Sequence, residues 1–237
     1  KTLENLNLDK NTVIIFVSDN GGVSSGDDFA TSNFPLRGGK GYQWEAGTRI
    51  PFLIKTPQLE RKKKKIHTPV MGADLFPTLL DLAGIINPEE VDGKSLFPLL
   101  KGESFDNRSL FWHYPHYGNQ GGDPSAIIRK DKWKLIKYFE NGETELYNID
   151  LDPGEKNNLK NKYPEISLNL KNSLVDWMKL TNAKIPIIDP IYNEKEEIEW
   201  LINNRIKVKN RVEKKRLDQL DSNYKPNKDW WGSDINN

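Results

Sequence analysis

Apolar positions along this chain fall into short blocks of differing period. Residues 13–17, Val-Ile-Ile-Phe-Val, form an unbroken, largely β-branched run, the pattern of a strand buried on both faces. The run stops abruptly at Ser18-Asp19-Asn20-Gly21-Gly22. Residues 50–55 repeat a short apolar run and predict a second strand of the same sheet. A helix is predicted over 74–83, with Asp74 as N-cap, Pro77 in the tolerant first turn and Gly84 at the C-terminal cap. Leu75, Phe76, Leu79, Leu80, Leu82 and Ala83 give it a broad apolar face. Residues 1–10 read as a helix end plus loop.

The second half alternates. Residues 126–129, 133–139 and 144–149 predict three antiparallel strands, with Asn141-Gly142 as hairpin signal. An amphipathic helix follows over 168–180, with Leu170, Leu174, Trp177 and Met178 on one side. Residues 194–220 are highly charged, with Ile198, Leu201, Ile202, Ile206 and Val212 near helical spacing. They predict a long, mostly exposed helix packing by one thin stripe, and Trp230-Trp231 would anchor the tail beyond it. The expected division is 1–105, an α/β part; 106–185, a small α+β subdomain; and 186–237, a charged helical tail. A strand at 13–17 needs parallel neighbours and covering helices, and no βαβαβ series follows. A further N-terminal part is therefore expected.

Composition narrows the partners. The net charge of +1 argues for neither nucleic acid nor a membrane surface. No apolar run approaches the roughly 20 residues that span a bilayer. The chain has no cysteine, which removes disulfides, thiolate metal sites and a cysteine nucleophile. The basic run 61–65 reads as a solvated loop tip in preference to a polyanion-binding patch.

Candidate chemistry gathers in two stretches. Asp19 and Asn20 follow a predicted strand, where ligands bind in open α/β sheets, and their oxygens suit a hard cation. Asp-Asn-Gly is also common in plain turns. Lys40 stands between Gly39 and Gly41 within Leu-Arg-Gly-Gly-Lys-Gly, 40 − 19 = 21 positions after Asp19, and can reach an anion as a point charge. The second stretch, residues 110–123, holds His113 and His116 among four aromatics. Its Pro/Gly-rich setting predicts a loop, and loops on rigid scaffolds carry recognition. This favours His113 and His116 near a substrate over a buried aromatic cluster with satisfied histidines.

The ordered set of Asp19-Asn20-Gly21-Gly22, Leu36-Arg37-Gly38-Gly39-Lys40-Gly41 and Glu45-Ala46-Gly47-Thr48-Arg49-Ile50-Pro51 resembles the second half of the catalytic domain of type I, formylglycine-dependent sulfatases of the alkaline phosphatase superfamily. The resemblance weakens toward Tyr192. It includes Asp74-Leu75-Phe76-Pro77-Thr78-Leu79-Leu80-Asp81-Leu82-Ala83-Gly84, Asp92-Gly93-Lys94-Ser95-Leu96, and Glu145-Leu146-Tyr147-Asn148 followed by Asp152-Pro153-Gly154-Glu155. It implies an α/β fold: the C-terminal part of the sulfatase sheet, then a small antiparallel subdomain. It also implies Ca²⁺ held by Asp19 and Asn20, sulfate contacted by Lys40, and a sulfated carbohydrate as substrate. A periplasmic or secreted location follows from the same likeness. Arg37, Glu45 and Arg49 match family positions and are assigned to shaping the loops.

The family's nucleophile motif, Cys/Ser-x-Pro/Ala-x-Arg, is not found in these 237 residues. It is expected in the N-terminal part, and the chain alone is expected to be inert. Two other readings stay open. One is a phosphoryl-transfer relative of the same superfamily, disfavoured by the sparse histidines. The other is a non-catalytic module that binds sulfated glycans.

Overall fold

The computed structural model describes residues 1–23, 32–57, 59, 65–118 and 120–223. The basic run at 61–64 and Trp230-Trp231 lie outside them. The chain divides into a main body ending at Pro186 and a second unit that contains everything from Ile187 onward.

In the main body a short helix α1 (Thr2–Asn5) precedes strand β1 (Ile14–Val17), which pairs antiparallel with β2 (Phe52–Lys55). Between them lies one helical turn, α2 (Glu45–Thr48). The expected shared sheet is present, but as a two-stranded ribbon. Burial on both faces of β1 is not found: Phe16 is 60% and Leu53 64% exposed. An apolar run reports what a strand can bury, not what the described residues supply to cover it.

Helix α3 (Leu75–Leu82) has Asp74 in the N-cap position, as predicted, and ends one residue before Ala83. Asp74 does not cap it by side chain. The Asp74 carboxylate, fully buried, instead accepts from the Met71 and Lys94 N–H groups, each at 2.9 Å, and from Arg108 through both oxygens. The Thr78 hydroxyl donates to the Asp74 carbonyl (2.5 Å) and accepts from the Leu96 N–H (2.8 Å). This fastens α3 to the start of α4 (Phe97–Lys101). The C-terminus of α3 is as expected. Gly84 has φ 71°, and the Gly84 and Ile85 N–H groups return to the carbonyls of Asp81 and Leu80, a Schellman closure.

The subdomain has four strands where three are predicted. β3 (Leu110–Tyr114), β4 (Ser125–Lys130), β5 (Trp133–Tyr138) and β6 (Thr144–Asn148) form an antiparallel meander in that order. The loop reading of residues 110–123 therefore holds only past Tyr114. Leu-Phe-Trp-His-Tyr is a good strand sequence, and the Pro/Gly-rich residues begin after it. The β5–β6 turn contains Asn141-Gly142 with Gly142 at φ 71°. Only that residue of the pair has positive φ, so the connection is longer than the two-residue type I′ turn.

Alternation sorts this sheet into two faces. Ala126, Ile128, Leu135, Leu146 and Phe111 pack against α5 (Pro164–Leu180) through Leu170, Leu174 and Met178. Phe111 stacks on Trp177 at 4.7 Å between ring centres. On the other face Ile127, Ile136, Tyr147, Trp112 and Tyr138 pack with Ile149 and Trp44. Trp44 immediately precedes α2, so the loop carrying Lys40 leads into a residue seated on this second face.

In the second unit, α6 (Glu194–Leu220) is begun by the Asn193 side chain, which accepts from the Lys195 and Glu196 N–H groups. Ile198, Ile202 and Ile206 are each about half exposed, so at these three positions the expected stripe is not buried. No helix among the described residues is long and apolar enough to cross a membrane.

Candidate active site

Asp19 and Asn20 stand just past the end of β1, Asp19 exposed and Asn20 half-buried. The turn below them is locked by close packing. A Cβ on Gly21 would lie 1.8 Å from the Ala46 carbonyl oxygen, and one on Gly47 1.9 Å from that of Tyr42. The sequence can place backbone this near backbone only with glycine. Gly21 N–H donates to the Gly47 carbonyl (3.3 Å), and Lys40 N–H to the Gly22 carbonyl (3.0 Å). The Asn33 amide donates to the carbonyls of Gly22 (2.9 Å) and Gly38 (3.2 Å). The Asp-Asn turn and the Lys40 loop are thus one hydrogen-bonded unit. Among the described residues, the side chains of Asp19, Asn20 and Lys40 make no hydrogen bond or ion pair. Three polar ends are presented by a backbone that is itself tied down.

The fit to a calcium ion can be judged on donor chemistry. A carboxylate and a carboxamide are oxygen donors of the kind Ca²⁺ takes, and it takes about 6–8 of them. Among the described residues no group of three or more His, Cys, Asp or Glu converges on a metal position. Asp19 and Asn20 therefore suit part of a coordination shell.

The two histidines have different settings, although they lie near enough to feel each other's charge. His113 is on the α5 face of the sheet, paired across from Ala126 and edge-on to Phe139 at 5.6 Å. That is the face opposite Trp44, so His113 is not brought together with Lys40. Burial lowers its pKa and the nearby His116 adds to that, against a hydrogen bond to the Lys184 backbone that acts the other way. His116 is exposed past the end of β3 and lies edge-on to Tyr114 at 5.4 Å. Its loop returns against the residues after Lys40: a Cβ on Gly122 would be 2.1 Å from the Gly41 carbonyl oxygen, and one on Gly121 2.2 Å from the Tyr42 ring. His116 and Lys40 thus belong to adjoining loops.

The shift at His113 has a pH consequence. A depressed folded pKa means that the unfolded chain takes the proton first. This contribution to stability is present above the ordinary 6.5 and is lost as pH falls through the folded pKa. In paired denaturant titrations, His113→Gln should lose less stability than the parent chain between neutral pH and pH about 5. Equal losses would mean that His113 does not titrate differently on folding.

Arg37 and Glu45 shape the loops, as expected. The Arg37 guanidinium lies 3.6 Å from the centre of the Trp44 ring and donates to the Tyr147 hydroxyl (3.2 Å) and the Glu155 carbonyl (3.1 Å). Glu45, 2% exposed, meets Arg129 at 3.1 Å and Lys134 at 3.2 Å. Arg49 is more than half exposed and only 3.9 Å from Glu45, too solvated to matter much. Sequence reasoning assigned no role to Arg129, Lys134 or Glu155. The available signal was Glu155 in the Asp-Pro-Gly-Glu stretch, which has no meaning until the fold sets it against Glu45.

An α/β body with an antiparallel C-terminal sheet, and a two-loop site at a strand end, define the C-terminal portion of a sulfatase of alkaline-phosphatase-like fold. A family model described as N-sulphoglucosamine sulphohydrolase, C-terminal, matches residues 39–180, and the chain belongs to that family. A protein of Formosa agariphila described as a sulfatase is 35% identical over 196 residues, covering 73% of this chain and 34% of that protein. Among solved structures, Ps i-CgsB in complex with k-i-k-neocarrahexaose superposes with a TM-score of 0.65 at 27% identity, over 85% of this chain and 43% of that one. BT4656 in complex with its substrate D-glucosamine-2-N,6-O-disulfate gives a TM-score of 0.62 at 28% identity, over 75% and 36%. The chain spans about a third of the length of the curated relatives it matches.

Proposed function

We propose that this chain carries part of the active site of a sulfuric ester hydrolase that removes sulfate from a sulfated carbohydrate. The observation that carries the reading is the pair of interlocked loops, which present Asp19, Asn20 and Lys40 without partners among the described residues. Sulfate-ester cleavage places negative charge on the departing alkoxide and the sulfate oxygens. A positioned ammonium at Lys40 stabilises that charge at no cost in reorganisation. Asp19 and Asn20 would hold calcium, which when bound polarises a sulfate oxygen. The exposed His116, on the loop that adjoins the one carrying Lys40, is suited to donate to sugar hydroxyls. His113 sits across the sheet, so a contact from it to substrate would have to come from the other side.

The family's formylglycine nucleophile has no precursor here, since there is no cysteine and no serine in the required motif. In our reading it lies in a further N-terminal part of the sulfatase, together with remaining calcium ligands. That part would also cover the apolar faces of β1 and β2, including Phe16 and Leu53. A periplasmic or secreted location belongs to the same reading.

Sulfate release is the test. The 237-residue chain with calcium is expected to liberate no more free sulfate from an aryl sulfate or a sulfated galactan than its Lys40→Ala variant. In a polypeptide joining it to a segment that bears the nucleophile motif, Lys40→Ala should lower kcat by about a hundredfold, the size of effect seen for one donor at a developing oxyanion. Asp19→Ala should abolish calcium-dependent turnover. Full activity in either variant overturns the assignment. Glycan binding without turnover in the joined polypeptide would instead favour a binding module.

A further inference from the structure

The loop that carries Lys40 is fastened at both ends to one sheet face. At one end Arg37 is held by Trp44, Tyr147 and the Glu155 carbonyl. At the other, the Glu45 carboxylate meets Arg129 and Lys134, while the Glu45 N–H donates to Glu155 Oε2 at 2.6 Å. Lys134 completes the circuit by reaching Glu155 at 3.0 Å. Lys134, Glu45 and Glu155 are each no more than 2% exposed, and Arg129 is 16% exposed. Burial pushes the Glu155 carboxyl up, and Lys134 and the Glu45 N–H pull it back down.

Such a cluster is a poor way to gain stability. Taking two acids and two bases out of water costs several kcal/mol per ion, and apolar residues of similar volume often do as well or better. What it provides is one geometry. Both Glu45 oxygens and Glu155 Oε2 are hydrogen-bonded, Glu155 Oε1 faces Lys134 as an ion pair only, and a shift of α2 along the sheet would strand a charge. α2 is also the element against which Gly21 packs and to whose Gly47 carbonyl it donates. Moving α2 would move the Asp-Asn turn and the Lys40 loop together.

We propose that the Glu45–Arg129–Lys134–Glu155 cluster is a positioning device by which the C-terminal sheet sets the place of the Lys40 loop and, through the Gly21–Gly47 hydrogen bond, of the Asp19-Asn20 turn tied to it. Its catalytic consequence rests on the reading of Lys40 given above; its structural consequence does not. Lys134 and Arg129 are positioning residues that act through Glu45.

Two measurements separate these levels. Amide hydrogen exchange on the 237-residue chain compares Lys134→Met and the milder Arg129→Met with the parent. Lys40 and Gly21 amides should exchange on the order of tenfold faster or more, a local opening. The Ile149 amide, bonded to the Lys132 carbonyl, and the Leu159 amide, bonded to the Leu146 carbonyl, should stay protected in Arg129→Met. Arg129→Lys, which keeps the charge, should recover much of the protection. No change at Lys40 and Gly21 overturns the proposal. So does an equal loss at all four amides in both variants, which would make the cluster a general prop.

The second measurement is a double-mutant cycle on kcat in the nucleophile-bearing polypeptide. A residue acting through Lys40 should cost less when Lys40 is already alanine. Fully additive losses overturn the positioning role. If Lys40→Ala alone has no effect while the exchange result holds, the sulfate assignment has failed and the structural device stands.

Discussion

Arg108→Met should destabilise the main body by about 3–5 kcal/mol, the range for removing one partner of a buried ion pair. Asp74 has no exposed surface, and Arg108 engages both of its carboxylate oxygens. The methionine would fill much of the space and leave the carboxylate with the Met71 and Lys94 N–H groups. Those two amides reduce the penalty without balancing a buried negative charge. The damage should spread along the Asp74–Thr78–Leu96 hydrogen bonds, which join α3 to α4. The check is a denaturant titration near neutral pH. Asp74→Asn/Arg108→Met should recover part of the loss, because no charge is then left unpaired. A cost below about 1 kcal/mol, typical of exposed pairs, would show that the pair is solvated in solution.

Leu174→Ala should cost about 2–5 kcal/mol through lost burial and the cavity left behind. Leu174 is fully buried in the middle of α5, among Ile128, Leu135 and Leu146 from three strands. Its neighbours are poorly placed to collapse into the gap, because the stacked Phe111–Trp177 pair and the β-sheet hydrogen bonds hold them apart. The upper part of the range is therefore expected. Leu168→Ala, on the same helix but 57% exposed, is the control and should stay within about 0.5 kcal/mol. Similar losses for both would mean that α5 does not pack on the sheet as described.

What the sequence determined by itself was local and periodic. Gly84 closes α3 because a left-handed residue after a helix is a local need. Residues 194–220 form a helix with the predicted bounds, since long periodic segments with a cap carry their own signal. Strands β4 to β6 and α5 were legible from alternation and amphipathicity. Asp19, Asn20 and Lys40 could be singled out because glycine-rich loops around polar residues break those periods. Strand β3 was missed at the point where a strand-like pentapeptide runs into a Pro/Gly-rich loop, and the loop signal was extended back over it.

Tertiary structure decided what each face meets. Lys134 alternates with Leu135 and would by pattern alone point to water. It is buried because Trp44 covers the second face of the sheet and the first residue of α2, Glu45, meets it there. Asp74 was legible as an N-cap, yet its carboxylate turns to Arg108, 34 positions away, a partner no local pattern contains. His113 and His116 are three residues apart, and the two-residue period of β3 put His113 on the sheet face that α5 covers while the chain's exit left His116 exposed on a loop that goes on to meet Gly41 and Tyr42. Sequence specifies the period and the chemistry of each position. Which neighbour comes within 3 Å is set by chain segments far away in sequence, because burial and ion pairing are properties of the closed fold.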